Sequence, residues 1–252
     1  MERALGALRA SVGRLHQLCR GLDDTQLAQG SYCRDRSIAE VLGHLGSSAV
    51  IWCRRLDDTL AGRATPDAFA PAVWEEWDAK LPRSKVDDAL VEDEGLLERL
   101  EGLDQEDRAR LALPMGPMTL SFGQVVAFRL NEHALHTWDV EVVFDDHAHL
   151  PEDAAAVVVD HLAPIVGFTA RPAGAERRVA VRTSHPARDF TLHLTREGAE
   201  LAVSSAPAEP DLELPAEAFC RLVYGRLDED HCPPVRADGG VLDLLRQVFP
   251  GP

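Results

Sequence analysis

The spacing of apolar residues changes once along this chain of 252 residues, and that change limits the folds open to it more than any other feature. Up to about residue 145 they recur every three and four positions, the repeat of one helix face; beyond about 150 they alternate, the repeat of one sheet face. Leu5, Leu8, Val12, Leu15 and Leu18 predict a first helix over about 1–21. Ser37 with Glu40 three residues on forms a capping box, opening a helix through Ile38, Val41, Leu42, Leu45, Ala49, Trp52 and Leu56 to about Gly62. Val86, Leu90, Leu97 and Leu100 predict a third over about 84–101. PMGPMTLS, residues 114–121, breaks the pattern with two prolines and a glycine, and Ser121 then opens a long fourth helix carrying Phe122, Val125, Val126, Phe128, Leu130, Leu135, Trp138 and Val142. Four amphipathic helices with no strand pattern between them predict an up-and-down four-helix bundle.

The remainder predicts a smaller, mixed α/β domain. A helix fits 152–168, and RRVAVRTSH, RDFTLHLT and AELAVSSA alternate between turn signals as strands of an antiparallel sheet do. Helices fit 215–225, with Pro215 at the first turn, and 239–248, with Leu242, Leu245 and Val248 on one face. The expected division is 1–148 for the bundle and 149–252 for the α/β domain.

Composition narrows the partners. A net charge of −16 disfavours nucleic acid and anionic membranes, which need clustered positive charge, and leaves a small molecule or a protein. No run reaches the roughly 18 to 20 apolar residues of a membrane helix. The amino terminus lacks the apolar core of a signal peptide, so the expected compartment is the cytoplasm. Cys19, Cys33, Cys53, Cys220 and Cys232 are odd in number and carry no CxxC spacing, which argues against a disulfide framework or a cysteine-ligated zinc.

The chemistry concentrates in RLNEHALHTWDV, residues 129–140. Residues four apart on a helix lie about 40° apart in azimuth and about 6 Å apart along the axis, so Glu132 and His136 project side by side. Such a pair can hold one metal from one helix, and a further ligand must come from another; His44, on the second helix, is the best placed. His133 and His136 could also share an ion, while Glu-His-x-x-His is not the metalloprotease motif. Against the metal stands the plainer reading of a surface hydrogen-bonded pair, with His44 at the edge of the core and His133 facing solvent. His16, His161, His185, His193 and His231 leave other triads open on spacing alone.

A-E-V-L-G-H-L at 39–45, followed far downstream by R-L-N-E-H-A-L-H-T-W-D at 129–139, resembles the DinB-like metalloprotein superfamily and, more closely, the mycothiol-dependent maleylpyruvate isomerase family. The resemblance spans nearly the whole chain. It implies a metal-binding DinB-like bundle followed by an α/β domain related to sterol-carrier-protein folds. It implies zinc on His44, Glu132 and His136, leaves His133 aside, and suggests Asp139 as a partner that fixes a ligand. F-C-R-L-V-Y-G-R-L at 219–227 resembles the family's L-x-x-G-R segment, making Arg226 the transferable catalytic arginine; otherwise it is a cation at a helix C-terminus after Gly225. One departure stands out: S-Y-C-R-D-R-S-I at 31–38 replaces the family's Pro-Gly-Trp-like entry, and it places Cys33 near the expected metal.

The implied activity is that of a zinc enzyme using mycothiol or another low-molecular-weight thiol as nucleophile toward an electrophilic small molecule, as a cis-trans isomerase or a thiol transferase. The alternatives are a zinc-dependent hydrolase and a non-catalytic metal- or ligand-binding protein of the same fold.

Overall fold

The computed structural model describes residues 2–174, 176–204 and 209–251. The chain divides into two compact units, Met1–Asp145 and Asp146–Pro252.

In the first unit α1 (Glu2–Cys19), α2 (Asp24–Leu27), α3 (Ile38–Leu60), α4 (Phe69–Asp78), α5 (Pro82–Glu101), α6 (Gln105–Arg110) and α7 (Phe122–Glu141) follow in order, with a hairpin of β1 (Leu113–Met115) and β2 (Met118–Leu120) before α7. The four long helices close into a bundle: α1 packs on α5 and α7, and α3 on the same two. Their apolar stripes meet in a core that includes Leu8, Leu15, Leu42, Leu45, Leu56, Phe122 and Leu130. The caps are the expected ones. Ser37 N donates to Glu40 Oε2 at 2.7 Å and Glu40 N to Ser37 Oγ at 3.3 Å, while Ser121 N donates to Gln124 Oε1 at 2.9 Å.

Two differences from the sequence reading have local causes. PMGPMTLS is a hairpin rather than a plain break, with Gly116 at φ 57° in the turn, a conformation that suits glycine. Helix α4 was not expected; its Pro71 falls in the first turn, where the missing N–H costs nothing.

Glycine decides how closely α3 meets its neighbours. A Cβ at Gly46 would stand 2.3 Å from Trp77 Cη2 and 2.6 Å from the Ala89 Cα, and one at Gly43 would stand 3.1 Å from Lys85 Cδ. The absent side chains let α4 and α5 press onto the turns of α3 on either side of His44.

The second unit contains α8 (Glu152–Val158), a 3-10 turn (Val159–His161), α9 (Leu162–Thr169), β3 (Arg177–Ser184), β4 (Arg188–Leu194), β5 (Ala199–Val203), β6 (Leu212–Pro215), α10 (Ala216–Val223), β7 (Arg236–Ala237) and α11 (Val241–Val248). The strands form one sheet in the order β5-β4-β3-β6-β7. Its pairings are antiparallel except β3 with β6, where Val181 lies opposite Leu212 in parallel register. The sheet is therefore mixed rather than antiparallel. Val179, Val181, Phe190, Leu192 and Leu212 are buried, and the Phe190 and Phe219 rings lie 5.6 Å apart, seating α10 on the sheet. The single helix expected over 152–168 is broken, with Pro164 in the first turn of the following segment. The end of AELAVSSA, at 205–206, lies outside the described residues. Among the described residues no helix is long and apolar enough to cross a membrane.

Candidate metal centre

Helices α3 and α7 bring three of the expected residues together. Glu132 and His136, one turn apart on α7, face His44 from α3. His44 Nε2 lies 3.4 Å from Glu132 Oε2, His136 Nε2 lies 3.7 Å from the same oxygen, and the two imidazole centroids are 5.0 Å apart. One donor atom from each residue falls within 4.8 Å of the others. Two imidazole nitrogens and a carboxylate oxygen at this spacing suit a borderline ion such as zinc. The side chains of His44 and Glu132 keep 40% and 36% exposure, so the donors open to solvent, as those of a catalytic site do and those of a closed structural site do not.

Burial works to raise the Glu132 carboxyl pKa, but the hydrogen bond from His44 and the neighbouring His136 outweigh it and bring it down to about 2. Glu132 is thus ionised across the physiological range and ready as a ligand.

Behind His136 lies a second row of groups. His136 Nδ1 is 2.8 Å from Asp139 Oδ2; a carboxylate only accepts, so Nδ1 carries the hydrogen and Nε2 is left to face Glu132. The Cys33 thiol donates to the same Asp139 oxygen at 3.0 Å and lies 4.0 Å from His136 Nδ1. Cys33 and Asp139 are both buried. The loop bearing Cys33 is pinned in place: Ser31 N donates to the Arg36 carbonyl, Tyr32 N to the Asp139 carbonyl at 3.0 Å, and the Tyr32 ring meets Trp138 edge-on at 4.8 Å. Cys33, His136 and Asp139 form a second group at metal-binding spacing. Asp139 had been anticipated through the resemblance; its link to Cys33 had not, and the one signal in the sequence was an unusual cysteine in the loop that enters α3.

His133 corrects an expectation. It is fully buried rather than facing solvent. Its Nδ1 lies 2.9 Å from Ser11 Oγ, and its Nε2 faces Asp93 Oδ2 at 3.3 Å. Asp93 also takes an ion pair from Arg129, which in turn donates to the Leu45 carbonyl. Burial opposes the charge on Asp93, yet Arg129 and His133 hold its carboxyl below the ordinary range; burial lowers the His133 pKa despite Asp93.

A cavity of about 360 Å³ in the first unit has His44, Ser47, Trp74, Trp77 and Lys85 among its lining residues. It offers a small molecule room beside one of the three donors.

Arg226, in the second unit, lies just beyond the end of α10. Gly225, at φ 67°, donates from its N–H to Leu222 O, and Arg226 N donates to Arg221 O at 2.7 Å, the two bonds of a Schellman cap. The Arg226 side chain is buried, and its Nη1 donates to the Tyr224 carbonyl at 2.9 Å.

The family model described as the mycothiol maleylpyruvate isomerase N-terminal domain matches residues 8–141, a span that holds every donor named above except those of the second unit. No curated protein matches the sequence. Among solved structures, the mycothiol-dependent maleylpyruvate isomerase shares the fold with a TM-score of 0.65 at 13% identity over 90% of each chain. A histidine-to-alanine mutant of that enzyme aligns with the same TM-score at 12% identity, over 90% of this chain and 89% of its own.

Proposed function

The chain belongs to the mycothiol maleylpyruvate isomerase family, and from that premise we propose that His44, Glu132 and His136 hold a zinc ion at which a low-molecular-weight thiol, most simply mycothiol, is activated against an electrophilic small molecule. The observation that carries this reading is the convergence of the two Nε2 atoms and one carboxylate oxygen from two helices, in a cluster open to solvent.

Zinc held there would supply Lewis-acid chemistry, favouring the thiolate over the thiol at neutral pH. The chain's own residues prepare for it. Glu132 is ionised and cancels one of two positive charges, which leaves the centre able to accept an anionic sulfur. Asp139 fixes the His136 ring with Nε2 forward. The thiolate then adds to the electrophile. With a cis-enoic acid, addition at the double bond, rotation about the resulting single bond and elimination of the same thiolate give the trans isomer with every atom returned. With an electrophile that carries a leaving group, the product is a stable thioether. Arg226 is proposed as the cation for a substrate carboxylate.

The test is metal content. The purified chain should carry about one zinc, and His44→Ala, Glu132→Ala and His136→Ala should each lose it; metal retained in all three would remove the site. Calorimetric titration with mycothiol separates thiol chemistry from hydrolysis, because a hydrolase has no reason to bind the thiol. For Arg226, turnover unchanged in Arg226→Ala would restrict the residue to its place in the helix cap.

A further inference from the structure

We infer that Cys33 is a positioning residue for the metal centre: its thiol, by donating to Asp139, holds the carboxylate that aims His136 Nε2 at the ion. The inference rests on the zinc reading above.

The geometry gives one oxygen two donors. Asp139 Oδ2 receives the Cys33 thiol at 3.0 Å and His136 Nδ1 at 2.8 Å. A carboxylate rotates easily about its last bond, so the donors around it set where its oxygens stand. A second donor on the same oxygen, fixed from a different part of the chain, defines where that oxygen stands. The Cys33 donor is itself fixed: the side chain is buried among Leu27, Ile38 and Leu42, and the adjacent Tyr32 N–H holds the Asp139 carbonyl. The entry loop of α3 and the last turn of α7 therefore meet at Asp139. A ring held in one tautomer and orientation binds metal more tightly than one that must be ordered on binding.

Serine keeps a donor of similar size and alanine removes it, which separates the hydrogen bond from packing. Zinc affinity, measured by chelator competition on the full chain, should fall about tenfold in Cys33→Ala, the lower end of the effect of losing an outer-shell partner. In Cys33→Ser it should change less than about threefold, the scale of exchanging one hydrogen-bond donor for another. Nitrogen NMR of the metal-free protein should find His136 as the Nδ1–H tautomer in the parent and in Cys33→Ser, and as a mixture in Cys33→Ala. Equal affinities and tautomers in the parent and Cys33→Ala would overturn the inference, as would Cys33→Ser behaving like Cys33→Ala. So would a thiolate-to-metal charge-transfer band in the cobalt-substituted protein, because Cys33 would then be a ligand. Should the parent bind no zinc, the metal reading fails by itself, and the tautomer comparison still decides the role of Cys33.

Discussion

On one flank of α7, His133 and Arg129 face Asp93 with water excluded; on another, Glu132 and His136 face His44 with water at hand. The residue types are nearly the same, a carboxylate beside histidine, and the surroundings assign them different work. Asp93 and His133 have fully buried side chains and are tied by Arg129 and Ser11 to the other long helices. Glu132 and His44 each keep more than a third of the side chain exposed and face one another at 3.4 Å, an arrangement that leaves coordination capacity for an ion. Charges paired out of water are costly to separate and belong to the core, whereas donors that converge and stay wet are available to bind.

The contrast is broken most forcefully at Asp93. Asp93→Ala would strand the Arg129 charge in the core and should cost about 3–5 kcal/mol in denaturant unfolding; a loss below about 1 kcal/mol would mean that the network is ornamental. The pH dependence should follow. Both His133 and Asp93 have pKa values lowered by folding, so the unfolded chain takes up protons first. Stability should decline as pH falls below the ordinary histidine value of 6.5 and again below the ordinary carboxyl value of 3.8, with a slope of up to about 1.4 kcal/mol per pH unit for each proton. A flat profile between pH 7 and 5 in unfolding titrations would contradict the buried neutral state of His133. The contribution of Glu132 is present above its ordinary 4.5 and is lost only as pH falls through about 2. The smallest effect belongs to the open flank: Glu132→Gln should destabilise the metal-free protein less than Asp93→Ala does, because solvent screens a partly exposed pair, while abolishing zinc binding. Equal destabilisation by Asp93→Ala and Glu132→Gln would erase the distinction between the flanks.

The same helix shows what a sequence can convey. The start of α3 was legible because a capping box is a local signal, complete within four residues, and that of α7 because Ser121 follows a Pro- and Gly-containing break. The long helices were legible because their stripes repeat over many turns. His133 was misjudged because α7 is buried around most of its circumference, with Arg129, Asn131, His133, Thr137 and Asp139 all inside. A one-sided stripe was assumed, and the partners that satisfy these polar groups, Ser11 and Asp93 among them, come from α1 and α5, which spacing on α7 cannot reveal. Strands β6 and β7 were missed for a related reason: four residues and two residues hold too little alternation to register, and they exist as strands because β3 pairs with β6 and β6 with β7. The three donors became legible as a set only when His44 and the 129–139 stretch were taken together through the family resemblance, which singled out two histidines from eight others. The cysteine behind them stayed out of reach, since nothing near Cys33 in the chain names Asp139 as its acceptor.

The glycines that flank His44 bear on any effort to move this centre to another scaffold. Gly43 and Gly46 let Lys85 and Trp77 seat directly against the helix, so the depth of α3 in the bundle, and with it the reach of the His44 imidazole toward α7, is set by the two glycines and the side chains packed on them. A designer who copied His44, Glu132 and His136 onto a generic four-helix template with alanine at position 46 would drive a Cβ into Trp77 and the Ala89 backbone, push the helices apart and lose the convergence. The transferable unit is G-H-L-G together with the tryptophan that fills its notch.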